Sequence, residues 1–370
     1  MKLLQNIPLI FFAIILINCS DSNNTPANNN DNSNNYNVTL TPIKTPSNLP
    51  LNRIQFIDAK NGFIVAGKVY PDKNSEILKT TDGGNTWIKV YENNELLIND
   101  ISIKNKNEIY CVAGNGTILS SINGGTTWSV NSDFKNKGYY MNAIKFAKNN
   151  EAYIVGSKNN TAKGFILKTT NNGLTWLDLE KENTNPDLNF NKVLENNSFT
   201  SIHYFPPTNT LVFSGGTWTN GKITIRQNDF WDVAKLNESA KFMDVVIKNN
   251  FLLTVGNNGI TNATTEKGAM HSYNSDTKIW QKIDYKADNK LTAVTMEENT
   301  IITVGRNKSN NLSEGEFISI SKDQGKTWHR IAHEYVTAGW NDITSLDIHT
   351  FYAVGYNGLL VKIALIPINQ

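Results

Sequence analysis

Four copies of one eight-residue motif run through this chain: Thr80-Thr81-Asp82-Gly83-Gly84-Asn85-Thr86-Trp87, Ser121-Ile122-Asn123-Gly124-Gly125-Thr126-Thr127-Trp128, Thr169-Thr170-Asn171-Asn172-Gly173-Leu174-Thr175-Trp176 and Ser321-Lys322-Asp323-Gln324-Gly325-Lys326-Thr327-Trp328. Each has the composition of a tight turn between two strands. Asp or Asn at the third position can accept hydrogen bonds from backbone N–H groups, and the Gly two residues on tolerates positive φ. The Trp returns on the next strand to pack sideways, burying a large apolar area while its indole N–H seeks a partner. Residues repeated in every unit serve the unit. Asp82, Trp87, Asn123, Trp128, Asn171, Trp176, Asp323 and Trp328 are therefore read as structural, and not as metal ligands or catalytic acids.

The motifs recur inside units of roughly 40–50 residues, the period of β-propeller blades. Each unit opens on an apolar-polar-x-apolar strand: Leu51-Asn52-Arg53-Ile54, Ile98-Asn99-Asp100-Ile101, Met141-Asn142-Ala143-Ile144, Phe199-Thr200-Ser201-Ile202, Phe242-Met243-Asp244-Val245, Leu291-Thr292-Ala293-Val294 and Trp340-Asn341-Asp342-Ile343. A β-branched or aromatic run ending in Gly follows, such as Phe63-Ile64-Val65-Ala66-Gly67 or Tyr352-Ala353-Val354-Gly355. Continuous apolar runs of this length suit strands buried on both faces. Seven units can be counted. The fourth and fifth have degenerate turns around Phe230-Trp231 and Asp276-Thr277-Lys278-Ile279-Trp280. The seventh ends after Gly358–Ile363 without a fourth strand, whereas Tyr36–Ile43 alternates like a strand and precedes the first unit. The expectation is an all-β, seven-bladed propeller of four-stranded blades over 36–366. Its N-terminal strand completes blade seven and removes an exposed edge.

The turn motif resembles the Asp-box of sialidases and other neuraminidase-type repeat proteins. Over residues 36–366 the chain is most similar to photosystem II stability/assembly-factor-like propellers, which share the apolar Val-Gly strand followed by Thr-x-Asp-Gly-Gly-x-Thr-Trp. That resemblance implies, loosely, a binding or assembly role. The sialidase resemblance implies an arginine triad, for which Arg53, Arg226 and Arg306 stand on three different blades; bidentate carboxylate binding does need guanidinium. Against it, Arg53 lies in Asn52-Arg53-Ile54-Gln55, without the Phe-Arg-Ile-Pro context of that family, and sialidases have six blades. Related endoglucanases work between two propeller domains, and this chain has room for one.

The first residues form a separate object. Lys2 precedes an apolar stretch, Ile7 to Ile17, that ends Leu16-Ile17-Asn18-Cys19. It is short for a membrane span and has the plan of a secretory signal, 1–18. Cys19 at that place resembles the lipid-modified Cys of a bacterial lipoprotein, although Asn18 departs from the small residue usual before it. Residues 20–35 are polar and Asn-rich, cannot support a core, and read as a disordered tether of roughly 20 Å average span. The protein is thus expected at the bacterial cell envelope, at the outer membrane, held by the lipid anchor alone. The other cysteine, Cys111, sits in an apolar strand and reads as a buried thiol.

Charge and motifs exclude several classes. With 35 basic and 33 acidic residues the net charge is +2, no electrostatic case for nucleic acid. His329 and His333 at i, i+4 would make a zinc face on a helix, but on a strand they stand about 13 Å apart. His203, His271 and His349 read as packing residues, as do Tyr139, Tyr140, Tyr335 and Trp340 at blade junctions. The sequence offers no phosphate loop, no Ser/His/Asp elbow and no cofactor or metal motif. A ligand is expected on the rim opposite the Asp-boxes, where loops ring the channel mouth. The residues after each second-strand Gly point there (Lys68, Asn115, Ser157, Gly216, Asn257, Arg306, Tyr356), and longer loops add Tyr70, Trp218 and Asn220. The expected partner is an envelope protein, or alternatively a glycan recognised by a lectin-like or hydrolytic Asp-box protein. Exposed aromatics beside Asn and Gly suit such recognition.

Overall fold

The computed structural model describes residues 36–68, 74–148, 150–159, 161–182, 188–217, 220–228, 230–236, 240–258, 268–285, 290–306, 318–331 and 339–368. Seven antiparallel four-stranded sheets form the blades, over 51–93, 98–131, 139–178, 201–235, 240–282, 290–331 and 340–367. In the last, Tyr36–Pro42 takes the outermost place and pairs antiparallel with Leu360–Pro367, Val38 facing Leu365 and Leu40 facing Ile363. The ring is therefore closed by strands from both ends of the chain. Among the described residues every strand lies within 36–367 and belongs to one of these seven four-stranded sheets.

The second strand of each blade is buried on both faces, as its continuous apolar run requires; Ile109–Ala113 is buried throughout. Seven hydrophobic clusters fill the seven seams between neighbouring blades. Across the closing seam, Leu51, Ile64 and Trp87 of blade one meet Tyr352 and Val354 of blade seven. Val38 and Leu40 are buried with Trp340, Phe351 and Ile363.

The four boxes are the turns between third and fourth strands. In the first, the Thr86 N–H and hydroxyl donate to the two Asp82 oxygens at 2.9 and 2.6 Å, Thr80 Oγ1 donates to Asp82 at 2.8 Å, and the Gly84 N–H donates to Thr80 Oγ1 at 3.0 Å. The bond from the Thr86 hydroxyl, with help from its N–H, lowers the Asp82 carboxyl to about 2. Asp323 repeats this geometry with Ser321 and Thr327. In the other two boxes Asn123 and Asn171 accept the same backbone N–H through Oδ1 and donate Nδ2 to the threonine hydroxyl at 2.8 Å. The indoles differ in step: Trp87 and Trp328 donate to Gly84 and Gly325 carbonyls at 3.0 Å, whereas the buried N–H groups of Trp128 and Trp176 have no such partner. Each Trp packs into the seam with the preceding blade.

Several details depart from the sequence reading. Two short helices, Leu179–Glu182 and Leu188–Leu194, are inserted between blades three and four, the second burying Phe190, Val193 and Leu194 at i, i+3, i+4 spacing. His349 lies in a turn beside the Tyr36 ring and not in a strand. Tyr139 and Trp340 are core, but Tyr140 is exposed; Tyr335 lies outside the described residues, as does His333. His271 does pack, edge-on to Phe242. Four outer strands open, at their box ends, on exposed apolar residues: Ile88, Leu177, Phe230 and Ile279.

Candidate functional site

The innermost strands of the blades line the central channel, and a repeated irregularity sets which side chains face where. In six blades the register between first and second strands shifts at the second position of the opening tetrad, at Asn52, Asn99, Asn142, Met243, Thr292 and Asn341. A bulge of this kind re-aims the extra residue, here sideways toward the next blade. The result is a ring of inter-blade hydrogen bonds. Asn52 donates to the Ile98 carbonyl (3.2 Å), Asn99 to Met141 (2.6 Å), Asn142 to Phe199 (2.6 Å), Thr200 to Phe242 (2.7 Å), Thr292 to Trp340 (2.9 Å) and Asn341 to Leu51 (3.0 Å). Met243 alone has no donor to give.

The third position of the tetrads forms a second layer. Asp100, Asp244 and Asp342 each use Oδ2 to accept a backbone N–H of the next blade, from Ile144, Val294 and Ile54, at 2.8, 3.0 and 2.9 Å. Their other oxygens are taken as well. Ser201 donates to Asp244 at 2.6 Å, and Arg53 reaches Asp100 and Asp342, each at 3.5 Å. Burial works against the Arg53 charge, but Asp342, Asp100 and Asp244 outweigh it and hold the guanidinium firmly protonated. Burial raises the carboxyls of Asp100, and of Asp342 to about 7, against the pull of Arg53. Lys145 and His203 line the same cavity of about 170 Å³. Burial, and then Lys145, depress His203 to about 3, so it is neutral near pH 7. His203 is thus a channel residue and not simply a packing one.

Above this layer the channel widens into a mouth of about 270 Å³, lined by the stitching residues together with Arg53, Lys241 and Arg306. None of the described lining residues is acidic. Arg306 donates to the Tyr356 hydroxyl and lies over its ring at 5.6 Å, which fixes both at the rim. The remaining candidates are spread out. Lys68 ends a half-buried strand terminus, Asn115 accepts the Thr117 N–H within its own turn (3.2 Å), and Asn257 is buried with its Oδ1 unpaired. Asn220 lines a separate outer cavity of about 350 Å³ with Lys192, Lys222 and Trp231. Tyr70, Trp218 and Cys19 lie outside the described residues. The three arginines do not converge. Arg226 is buried in blade four, stacked on Tyr153 and Trp231, far along its blade from the mouth that Arg53 and Arg306 share. Among the described residues no group of three His, Cys, Asp or Glu side chains is placed to hold a metal ion.

Fold and site define a seven-bladed, Asp-box propeller with a polar, cation-rimmed channel mouth. Residues 88–169, which run from the outer strand of blade one into blade three, match the family described as Photosynthesis system II assembly factor YCF48. The chain is similar in fold to YCF48 bound to D1 peptide (18% identity, 90% of this chain and 96% of that one, TM-score 0.64). It is also similar to YCF48 from Cyanidioschyzon merolae (18%, 87% and 98%, 0.62). A xyloglucanase of family GH74 from Xanthomonas campestris has the same fold at 12% identity (TM-score 0.64), covering 88% of this chain but 53% of the enzyme. No curated protein matches the sequence. The chain thus resembles the assembly-factor propellers, as its repeats imply.

Proposed function

We propose that this protein is a non-enzymatic binding or assembly propeller, lipid-anchored through Cys19 at the bacterial cell envelope, that holds an envelope protein at its channel mouth. The carrying observation is the division of labour in the channel. Every oxygen of Asp100, Asp244 and Asp342 is committed to blade-to-blade bonds or to Arg53, while the described lining of the mouth holds three cations, Arg53, Lys241 and Arg306, and no acid. Hydrolysis of a glycoside needs two carboxyl groups facing the scissile bond. Here the convergent acids hold the ring together. Rim groups on a rigid scaffold suit recognition of a partner's anionic or carbonyl groups. Similarity to a propeller that binds a peptide supports the same reading.

The test is capture from detergent-solubilised envelopes with the native chain and with Arg306→Ala and Lys241→Ala, alongside a glycan array. The expected result is a protein partner retained by the native chain and lost in both variants, with the array silent. Glycan binding that disappears in the same variants would replace this reading with the lectin one.

A further inference from the structure

Exposed apolar side chains are unevenly placed on this ring. Ile122 and Leu174 stand in the box turns of blades two and three, 75% and 78% exposed. Ile348, in the turn between first and second strands of blade seven, and Ile366 and Ile368, where its third strand ends, are exposed too. All five lie on the box rim, as do Ile88, Leu177, Phe230 and Ile279 at the box ends of the outer strands, so blades seven and one to five each carry exposed apolar side chains on that face. At the mouth end, Tyr140 is the sole exposed large hydrophobic among the described residues. Exposed apolar side chains gathered on one face of a fold point to an interaction surface, whereas single residues scattered over all faces do not.

A second observation bears on what this rim faces. The closing strand starts on the same rim: Tyr36 pairs with Pro367, its ring lies 3.2 Å beneath Lys322 Nζ from the box of blade six, and His349 packs against it at 6.0 Å. The preceding segment, with its apolar stretch 7–17 and Cys19, is therefore joined to the ring at the box rim of blade seven, the blade that carries Ile348, Ile366 and Ile368.

We infer that the box rim from blade seven through blade five is a lipid-facing surface. Its apolar side chains enter the headgroup–acyl boundary, and the channel mouth is turned away from the bilayer. Apolar side chains on a peripheral protein gain by burial at that depth. The orientation rests on the reading of Cys19 as the anchor, which brings the rim to the membrane; the lipid affinity of the rim does not. It also explains how a tethered ring presents its mouth to a partner.

Single cysteines introduced as Ile122→Cys, Leu174→Cys and Tyr140→Cys in the full chain, labelled with an environment-sensitive fluorophore, are to be quenched by spin-labelled lipids in the membrane that holds the protein. The rim labels should be quenched at least about three-fold more than the label at 140. Equal quenching, or more at 140, overturns the inference. Mass spectrometry of Cys19 tests the anchor separately. If no acyl group is found, the same labels in fragment 36–370, mixed with phosphatidylethanolamine–phosphatidylglycerol vesicles, decide. A blue shift at 122 and 174 but not at 140 sustains the lipid-facing rim, and no shift refutes it.

Discussion

The amide of Asn341 in blade seven donates to the carbonyl of Leu51 in blade one at 3.0 Å, across the seam where the two ends of the ring meet. The same bond recurs between most other neighbours, from Asn52, Asn99, Asn142, Thr200 and Thr292. A propeller's blades are complete sheets with no backbone ladder between them, so adhesion depends on side chains. The apolar seams supply most of it without direction, and the ring of Asn and Thr donors adds a directional bond at the innermost strands, where each blade's position relative to the next is set.

Blade five breaks the pattern with Met243, so its seam with blade six lacks this bond. Asn142→Ala should destabilise the ring by about 1–2 kcal/mol, because it deletes a bond and strands a carbonyl. Met243→Asn should stabilise it by up to about 1 kcal/mol by completing the circle. Chemical denaturation of the three proteins measures both changes. Destabilisation by Met243→Asn would show that the thioether packs better than an amide bonds there.

Ring closure by the N-terminal strand gives a second expectation. Deleting 36–43 removes the buried Val38 and Leu40 and exposes the edge of Leu360–Pro367. Burial of each such side chain is worth about 1.5–3 kcal/mol. The melting temperature should fall, and amide exchange should rise first over 360–367. An unchanged exchange pattern there would mean that the strand decorates the ring without closing it.

The boxes contain their own mutational series. Since Asn123 and Asn171 fill the place of Asp82 and Asp323 with the same backbone acceptor, Asp82→Asn should cost less than about 0.5 kcal/mol, and Asp82→Ala about 1–2 kcal/mol. Trp87→Ala should cost about 3–5 kcal/mol, for it is buried in the closing seam. Trp328→Ala should cost less, as that ring is only partly buried. Melts of the four variants in parallel test the order. A large loss with Asp82→Asn would point to a need for the carboxylate charge itself.

Much of this architecture was legible because it repeats. The boxes, the Val-Gly strands and the orphan strand at Tyr36 each announced a structural unit by periodicity, and blade number and closure followed. The channel was harder to read. Asn52, Asn99, Asn142 and Asn341 stood at one position of every tetrad where they occur, yet the bulge that turns them sideways cannot be seen in an apolar-polar alternation. Arg53 lies 289 residues from Asp342, so their pairing exists only once the ring is closed. His203 read as a packing residue because its strand alternates normally; the channel is what its other face meets. The helix at Leu188–Leu194 was missed because seven residues carry barely two turns of periodicity.

Asp342 makes the closing seam sensitive to pH. Its carboxyl bonds to Ile54 and pairs with Arg53, but burial, with Asp244 and Asp100 nearby, raises it to about 7. The unfolded chain loses this proton near pH 4 and the folded ring near 7. Between those values folding takes up a proton, so stability falls as pH rises through the window and is flat above it. A carboxyl moved this far corresponds to a few kcal/mol. Asp342→Asn keeps an oxygen for the Ile54 N–H and removes the titration. Denaturation midpoints of both proteins from pH 4 to 8 should diverge across the window, native falling relative to variant, and then run parallel. A constant difference over the whole range would show that Arg53 holds Asp342 ionised throughout.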